Sequence, residues 1–122
     1  MRSLGFLNVA LLLCACTSSP PAQAPLDLPR VAVLIFVRAD CPIANRYAPT
    51  IRELAERHAA RGARFVLVYT DADATAEVIA RHEREYELPL ETLRDPEHAW
   101  ALRAGVTVTP EVAVYDASHR LV

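Results

Sequence analysis

Seven consecutive apolar residues, Val31 to Val37, run into Arg38-Ala-Asp-Cys41-Pro42, and this junction constrains the fold more than any other stretch. An apolar, β-branched run of that length reads as a buried strand. Pro42 suits the first turn of a helix, where its missing N–H costs no hydrogen bond. The junction therefore places the Cys41 sulfur at a helix N-terminus, where unpaired backbone N–H groups and the positive end of the helix dipole favour a thiolate. A thiolate is the form that attacks disulfides and peroxides. A free cysteine can also serve as a small core hydrophobe. Its position just past the strand, beside the charged Asp40, favours the reactive reading.

Beyond this junction the chain alternates helix and strand. Pro42 to Arg61 reads as one helix with Ile51, Leu54, Ala55 and His58 on a shared face, a kink at Pro49 and a stop at Gly62. Arg64 to Thr70 is a second buried strand. Asp71 or Asp73 is expected to cap a helix over about Ala74 to Tyr86 that buries Val78, Ile79 and Tyr86. Leu88 to Leu93 forms a short extended piece. Asp95-Pro96 then reads as an N-cap and first helical residue, with the helix running to Ala104 and ending at Gly105. Val112 to Asp116 is a strand, and Ala117 to Arg120 a turn into Leu121-Val122.

The first sixteen residues read as a targeting segment: Met1-Arg2-Ser3 is the positive region and Leu4 to Leu13 an apolar stretch too short to span a bilayer. The ending Leu13-Cys14-Ala15-Cys16 resembles a bacterial lipobox, which implies lipidation at Cys16 and tethering to the cell envelope. An ordinary cleaved signal is the alternative. Thr17 after Cys16, in place of Asp, implies sorting to the outer membrane, on its periplasmic side. Residues 17–30 are Pro- and Ser-rich and read as an extended tether. Residues 31–122 leave room for one domain. A net charge of −2 with no basic run gives nucleic-acid binding no support. Of the three cysteines only Cys41 lies in that domain, so it has no internal disulfide framework.

Near the far end, Thr109-Pro110 stands immediately before the alternating strand, a position where proline is tolerated. Together, Cys41-Pro42 and Thr109-Pro110 resemble the thioredoxin superfamily, in particular its redoxin and peroxiredoxin-like branches. The resemblance covers about residues 31 to 122. It implies an α/β fold with a central sheet flanked by helices, and a cis Thr109–Pro110 loop packed beside the Cys41 sulfur. Against that pattern the chain stops at Leu121-Val122, short of the family's final strand and covering helix. Two family signatures fail. Ala44 stands where a dithiol oxidoreductase carries its second cysteine, and Arg38 stands where a peroxiredoxin carries Thr or Ser.

The remaining chemistry-bearing residues add little. His58, His82, His98 and His119 show no metal-ligand spacing, and His98 reads as a helix-surface residue. Trp100 reads as core, and Asp71 and Asp73 as caps. Asn45 and Tyr47 lie one turn past Cys41 and either could reach the sulfur or close the helix start. Arg38 could stabilise a thiolate or be a solvated loop residue. Two function classes follow. In the first, Cys41 is the single redox nucleophile on a peroxide or disulfide, supported by Pro42, Asn45, Thr109 and Pro110 and resolved by an external thiol or protein reductant, with no metal and no cofactor. In the second, the domain is a non-catalytic binding or metal-delivery module.

Overall fold

A run of apolar residues long enough to be buried on both faces must sit inside a sheet, and Val31–Val37 does so as β1. The computed structural model describes residues 31–122. The leader, Cys16 and the tether expected over residues 1–30 lie outside the described residues. After β1 the chain forms α1 (Pro42–Arg46), α2 (Ala48–Ala59), β2 (Ala63–Tyr69), α3 (Ala76–Glu85), β3 (Glu91–Arg94), α4 (Ala99–Ala104) and β4 (Glu111–Asp116). The sheet order is β3-β2-β1-β4. β1 pairs parallel to β2, Val31 opposite Ala63 through Val37 opposite Tyr69, and antiparallel to β4. β3 adds parallel to β2. This mixed sheet flanked by helices is the thioredoxin-like α/β architecture that the sequence implies.

The period-two alternation of β1 and β2 divides the core in two. Ala32, Leu34, Phe36, Val66 and Val68 pack with Ala101 and Ala104 of α4 and with Ala113 and Tyr115 of β4. Ile35, Val37, Leu67 and Tyr69 face the other way, onto Ala44, Ala48 and Ile51 of the first two helices, Ile79 of α3 and Leu88. Both faces are covered, which is why β1 and residues 65–69 of β2 are apolar throughout rather than alternating.

Several expected boundaries move. The helix expected from Pro42 to Arg61 is two helices, broken at Tyr47, which closes α1 and opens α2. Pro49 lacks an N–H for the Asn45 carbonyl and its ring would crowd that turn, so the chain restarts instead of kinking. On α2 the buried face is Ala48, Ile51 and Ala55, whereas Leu54 is exposed. The cap of α3 is Thr75, whose Oγ accepts from Val78 N–H at 3.3 Å, not Asp71 or Asp73. Asp71 is committed elsewhere, as described below. The helix expected from Pro96 begins only at Ala99. Asp95 still caps it, from farther back: its buried carboxylate accepts from Trp100 N–H at 3.1 Å and Ala101 N–H at 2.9 Å. Gly105 ends α4 with φ 71°, a left-handed conformation that favours glycine. After β4, the Asp116 carboxylate accepts from Ser118 and Arg120 N–H groups, and Leu121 bridges back to Tyr115.

The packing makes a stability test direct. Leu67 is fully buried at the sheet centre, so Leu67→Ala should lower the unfolding free energy by about 2–5 kcal/mol. Leu102 is 77% exposed, and Leu102→Ala should stay within about 0.5 kcal/mol of the parent. Urea denaturation of both variants measures the difference.

Candidate active site around Cys41

Cys41 is the N-cap residue of α1, with extended backbone angles and Pro42 at the first helical position. As an N-cap its side chain takes the place usually held by Ser or Asp, and the Ala44 N–H points at Sγ from 3.5 Å. The Thr109–Pro110 bond is cis, and Sγ lies 3.7 Å from the Thr109 carbonyl oxygen. A thiol can donate to that oxygen. A thiolate cannot, and it keeps the Ala44 N–H as its donor. The fold thus brings together Cys41, Pro42, Thr109 and Pro110, residues up to 69 positions apart in sequence. The Cys41 side chain is half-buried and free.

The turn leading into Cys41 is held from both sides. Cys41 N–H donates to the Arg38 carbonyl at 3.1 Å. The Ala39 N–H donates to Asp71 Oδ2 at 2.8 Å, and the Ala39 carbonyl accepts from Asn45 Nδ2 at 3.2 Å. Asp71 is buried; its Oδ1 makes no hydrogen bond, and its charge is met by Arg38 Nε at 3.1 Å. Asn45 therefore neither reaches the sulfur nor merely closes the helix start. It fastens the loop. Tyr47 is exposed, and the hydrogen bonds at the sulfur are those of Ala44 and Thr109. Arg38 is engaged by Asp40 at 3.0 Å as well as by Asp71. The hydrogen bond to Asp40, then the Asp71 charge, raise the guanidinium's proton affinity, and the same hydrogen bond lowers the Asp40 carboxyl. Arg38 is thus a partner of two carboxylates rather than of the thiolate.

His82 was legible only as a residue without a metal motif, yet it is buried on α3. Its Nε2 lies 2.7 Å from Asn45 Oδ1 and its Nδ1 lies 2.8 Å from the Tyr69 hydroxyl. The spacing Ile79, His82, Tyr86 puts it on the buried face of α3, and that period was the available signal. His98 caps α4 in a left-handed conformation and its Nε2 donates to the Thr70 carbonyl at 2.9 Å. It bridges helix and strand rather than lying free on the helix surface. Trp100 is half-buried against the second core cluster. Among the described residues no three His, Cys, Asp or Glu side chains converge on a metal position.

A groove of about 450 Å³ runs along the residues that precede Pro110. Arg38, Thr70, His98, Leu102, Val108 and Thr109 line it, so it shares Thr109 with the Cys41 contact.

A thiol at the N-cap of a helix, set against a cis-proline loop at the end of a central strand, defines the chain as a thioredoxin-like protein. The Redoxin family model matches residues 27–122, and the chain belongs to that family. No curated protein matches it. Among solved structures it is similar to a secreted Mycobacterium tuberculosis disulfide oxidoreductase homologous to E. coli DsbE, at 26% identity and a TM-score of 0.64, over 76% of this chain and 66% of that one. It is also similar to MTB dsbF, solved in mixed oxidized and reduced forms, at 25% identity and a TM-score of 0.66, covering 78% and 69%. A putative thiol:disulfide interchange protein DsbE from Chlorobium tepidum shares the fold at 18% identity, with a TM-score of 0.68 and coverage of 78% and 66%. The chain spans 66% of the length of the first of these.

Burial holds the His82 imidazole below its ordinary range, with the charges of Glu85 and Asp71 acting in the opposite sense. The unfolded chain therefore takes up this proton first as pH falls through about 6.5. Stability contributed by neutral His82 is complete above that pH and is lost as pH falls toward the depressed folded value. His82→Gln, which does not titrate, should show a smaller loss of denaturation midpoint than the parent between about pH 7.5 and about pH 5.5. Equal losses in the two proteins would exclude His82 as the titrating group.

Proposed function

We propose that the protein is a single-cysteine thiol–disulfide oxidoreductase of the bacterial cell envelope. The observation that carries this reading is the Cys41 sulfur, seated between the Ala44 N–H and the Thr109 carbonyl. The thiolate attacks one sulfur of a substrate disulfide, forms the Cys41–substrate bond and expels the other sulfur as a thiolate. Ala44 offers no second thiol at the helix start. An external thiol or protein reductant must then attack the mixed disulfide, restoring Cys41 and carrying away the substrate sulfur as a new disulfide.

Disulfide is a better-supported substrate than peroxide. Arg38, the nearby cation, is already paired with two carboxylates, which leaves it poorly placed to polarise an O–O bond. The groove beside Thr109 is roomy and partly apolar, with Leu102 and Val108 exposed, and suits a polypeptide bearing the disulfide. The M. tuberculosis relative is itself a disulfide oxidoreductase, and it is secreted.

Turnover is the test. With a model disulfide alone, the protein should stall after one equivalent per Cys41, and an added small thiol should restore multiple turnovers. Cys41→Ser should abolish both phases. Absence of thiol-dependent turnover while Cys41 remains open to alkylation would leave the binding-module reading in its place.

The cellular setting belongs to the same proposal. Cleavage before Cys16 and its lipidation would tether the domain through residues 17–30, with Thr17 favouring the outer membrane. Among the described residues no helix is long and apolar enough to cross a membrane. In detergent phase partitioning the parent should enter the detergent phase and Cys16→Ala the aqueous phase. Equal aqueous recovery of both would exclude lipidation.

A further inference from the structure

Asp71 and Asn45 hold the backbone of Ala39 unequally. Asp71 acts directly, whereas Asn45 is itself held by a buried relay. Because Asn45 Nδ2 donates to the Ala39 carbonyl, its Oδ1 faces His82, and His82 Nε2 must carry the proton. In the neutral ring Nδ1 is then an acceptor, so the Tyr69 hydroxyl donates to it. Tyr69 is fully buried, and desolvation pushes its phenol pKa up, which keeps that donor protonated. The edge-on Tyr69 ring and the tilted Tyr86 ring, with centroids 5.6 and 4.8 Å from that of His82, fix the imidazole plane. Every hydrogen-bonding group in the chain Tyr69–His82–Asn45–Ala39 thus has one direction.

We propose that His82 is a positioning residue for the Cys41 nucleophile: backed by Tyr69, it orients Asn45, which locks the Ala39 carbonyl and the turn that sets Sγ against Ala44 N–H and Thr109 O. The proposal rests on the reading of Cys41 as the redox nucleophile and adds the group that aligns it. Removing the relay frees the Asn45 amide to rotate. Among the described residues the turn then keeps Asp71, the Arg38 ion pairs and the Cys41 N–H bond to Arg38. The groups facing the imidazole are Tyr69 from β2 and Asp71 just beyond it, Asn45 from α1, and Glu85 and Tyr86 from its own helix and its end.

The test compares the full chain with His82→Phe, His82→Gln, Asn45→Ala and the His82→Phe/Asn45→Ala double variant. Circular dichroism confirms folding. The readouts are the iodoacetamide alkylation rate of the Cys41 peptide, resolved by mass spectrometry from Cys14 and Cys16, and turnover of a model disulfide with added thiol. Asn45→Ala and His82→Phe should each slow Cys41 alkylation at neutral pH by about threefold or more. His82→Gln, which supplies a donor and an acceptor about as far apart as the ring nitrogens, should restore the rate to within about twofold. The double variant should be no slower than the slower single, because both act on one path. If His82→Phe does not fold, Asn45→Ala and His82→Gln still decide. An unchanged rate in Asn45→Ala, a Gln variant slowed by threefold or more, or multiplied losses in the double variant would overturn the proposal. A parent that alkylates normally but turns nothing over overturns the redox reading alone, and the alkylation ratios still judge the relay.

Discussion

The backbone of Ala39 is the point on which the rest of the site depends. It lies midway between Val37, the last residue of β1, and the Cys41 cap of α1, and its N–H and carbonyl have no ladder partner at that position. Asp71 satisfies the N–H and Asn45 the carbonyl. A buried backbone group left without a partner costs about 1–3 kcal/mol, so each of these bonds constrains the turn rather than merely decorating it. With the turn fixed, Cys41 N–H reaches Arg38 O, and Pro42 starts the helix. The sulfur then has only a narrow range of positions.

The two side chains that hold this backbone come from different layers. Asp71 follows the parallel strand beside β1, so its position is set by the β1–β2 register, with Val37 opposite Tyr69. Asn45 sits on α1, and its orientation is set by α3 through His82. Sheet and helices therefore converge on one loop, and a shift of either layer would be felt at the sulfur. Arg38 completes the arrangement electrostatically. It offsets the buried Asp71 charge, which lies against the Arg38–Ala39 turn leading to Cys41. Keeping that carboxylate paired matters more for the chemistry than the modest stability of an exposed ion pair.

What the sequence disclosed follows from how local each signal is. The apolar run of β1, Pro42 at the helix start and Gly105 at the end of α4 each depend on a few neighbouring residues, and each is found where expected. Thr109-Pro110 was placed through resemblance, and the structure brings it to the sulfur. Asp71 was misread because its local role, a cap, competes with a tertiary one: it serves an N–H 32 residues earlier, leaving Thr75 to cap α3. The late start of α4 has a similar cause. Asp95 N–H is drawn to the Tyr69 carbonyl, which holds Asp95 to the sheet and leaves Pro96 and Glu97 in a turn. His82 needed two partners from other elements, and no spacing within its own helix identifies them.

The single cysteine takes on a different meaning in this setting. In a dithiol site the second sulfur, three residues on, resolves the intermediate. Here that position is Ala44, buried against Ala48 and Ile51, and its N–H still serves the first sulfur. The donor geometry of a dithiol site is therefore retained without its resolving chemistry. Under the proposed function, such a site forms a mixed disulfide that it cannot release by itself, and access of an outside thiol sets the lifetime of that bond. The cis-proline loop borders a groove, with Val108 exposed at its rim. Under the proposed function, the shape and apolar character of this rim act beside the partner thiol's own pKa in selecting what resolves the bond.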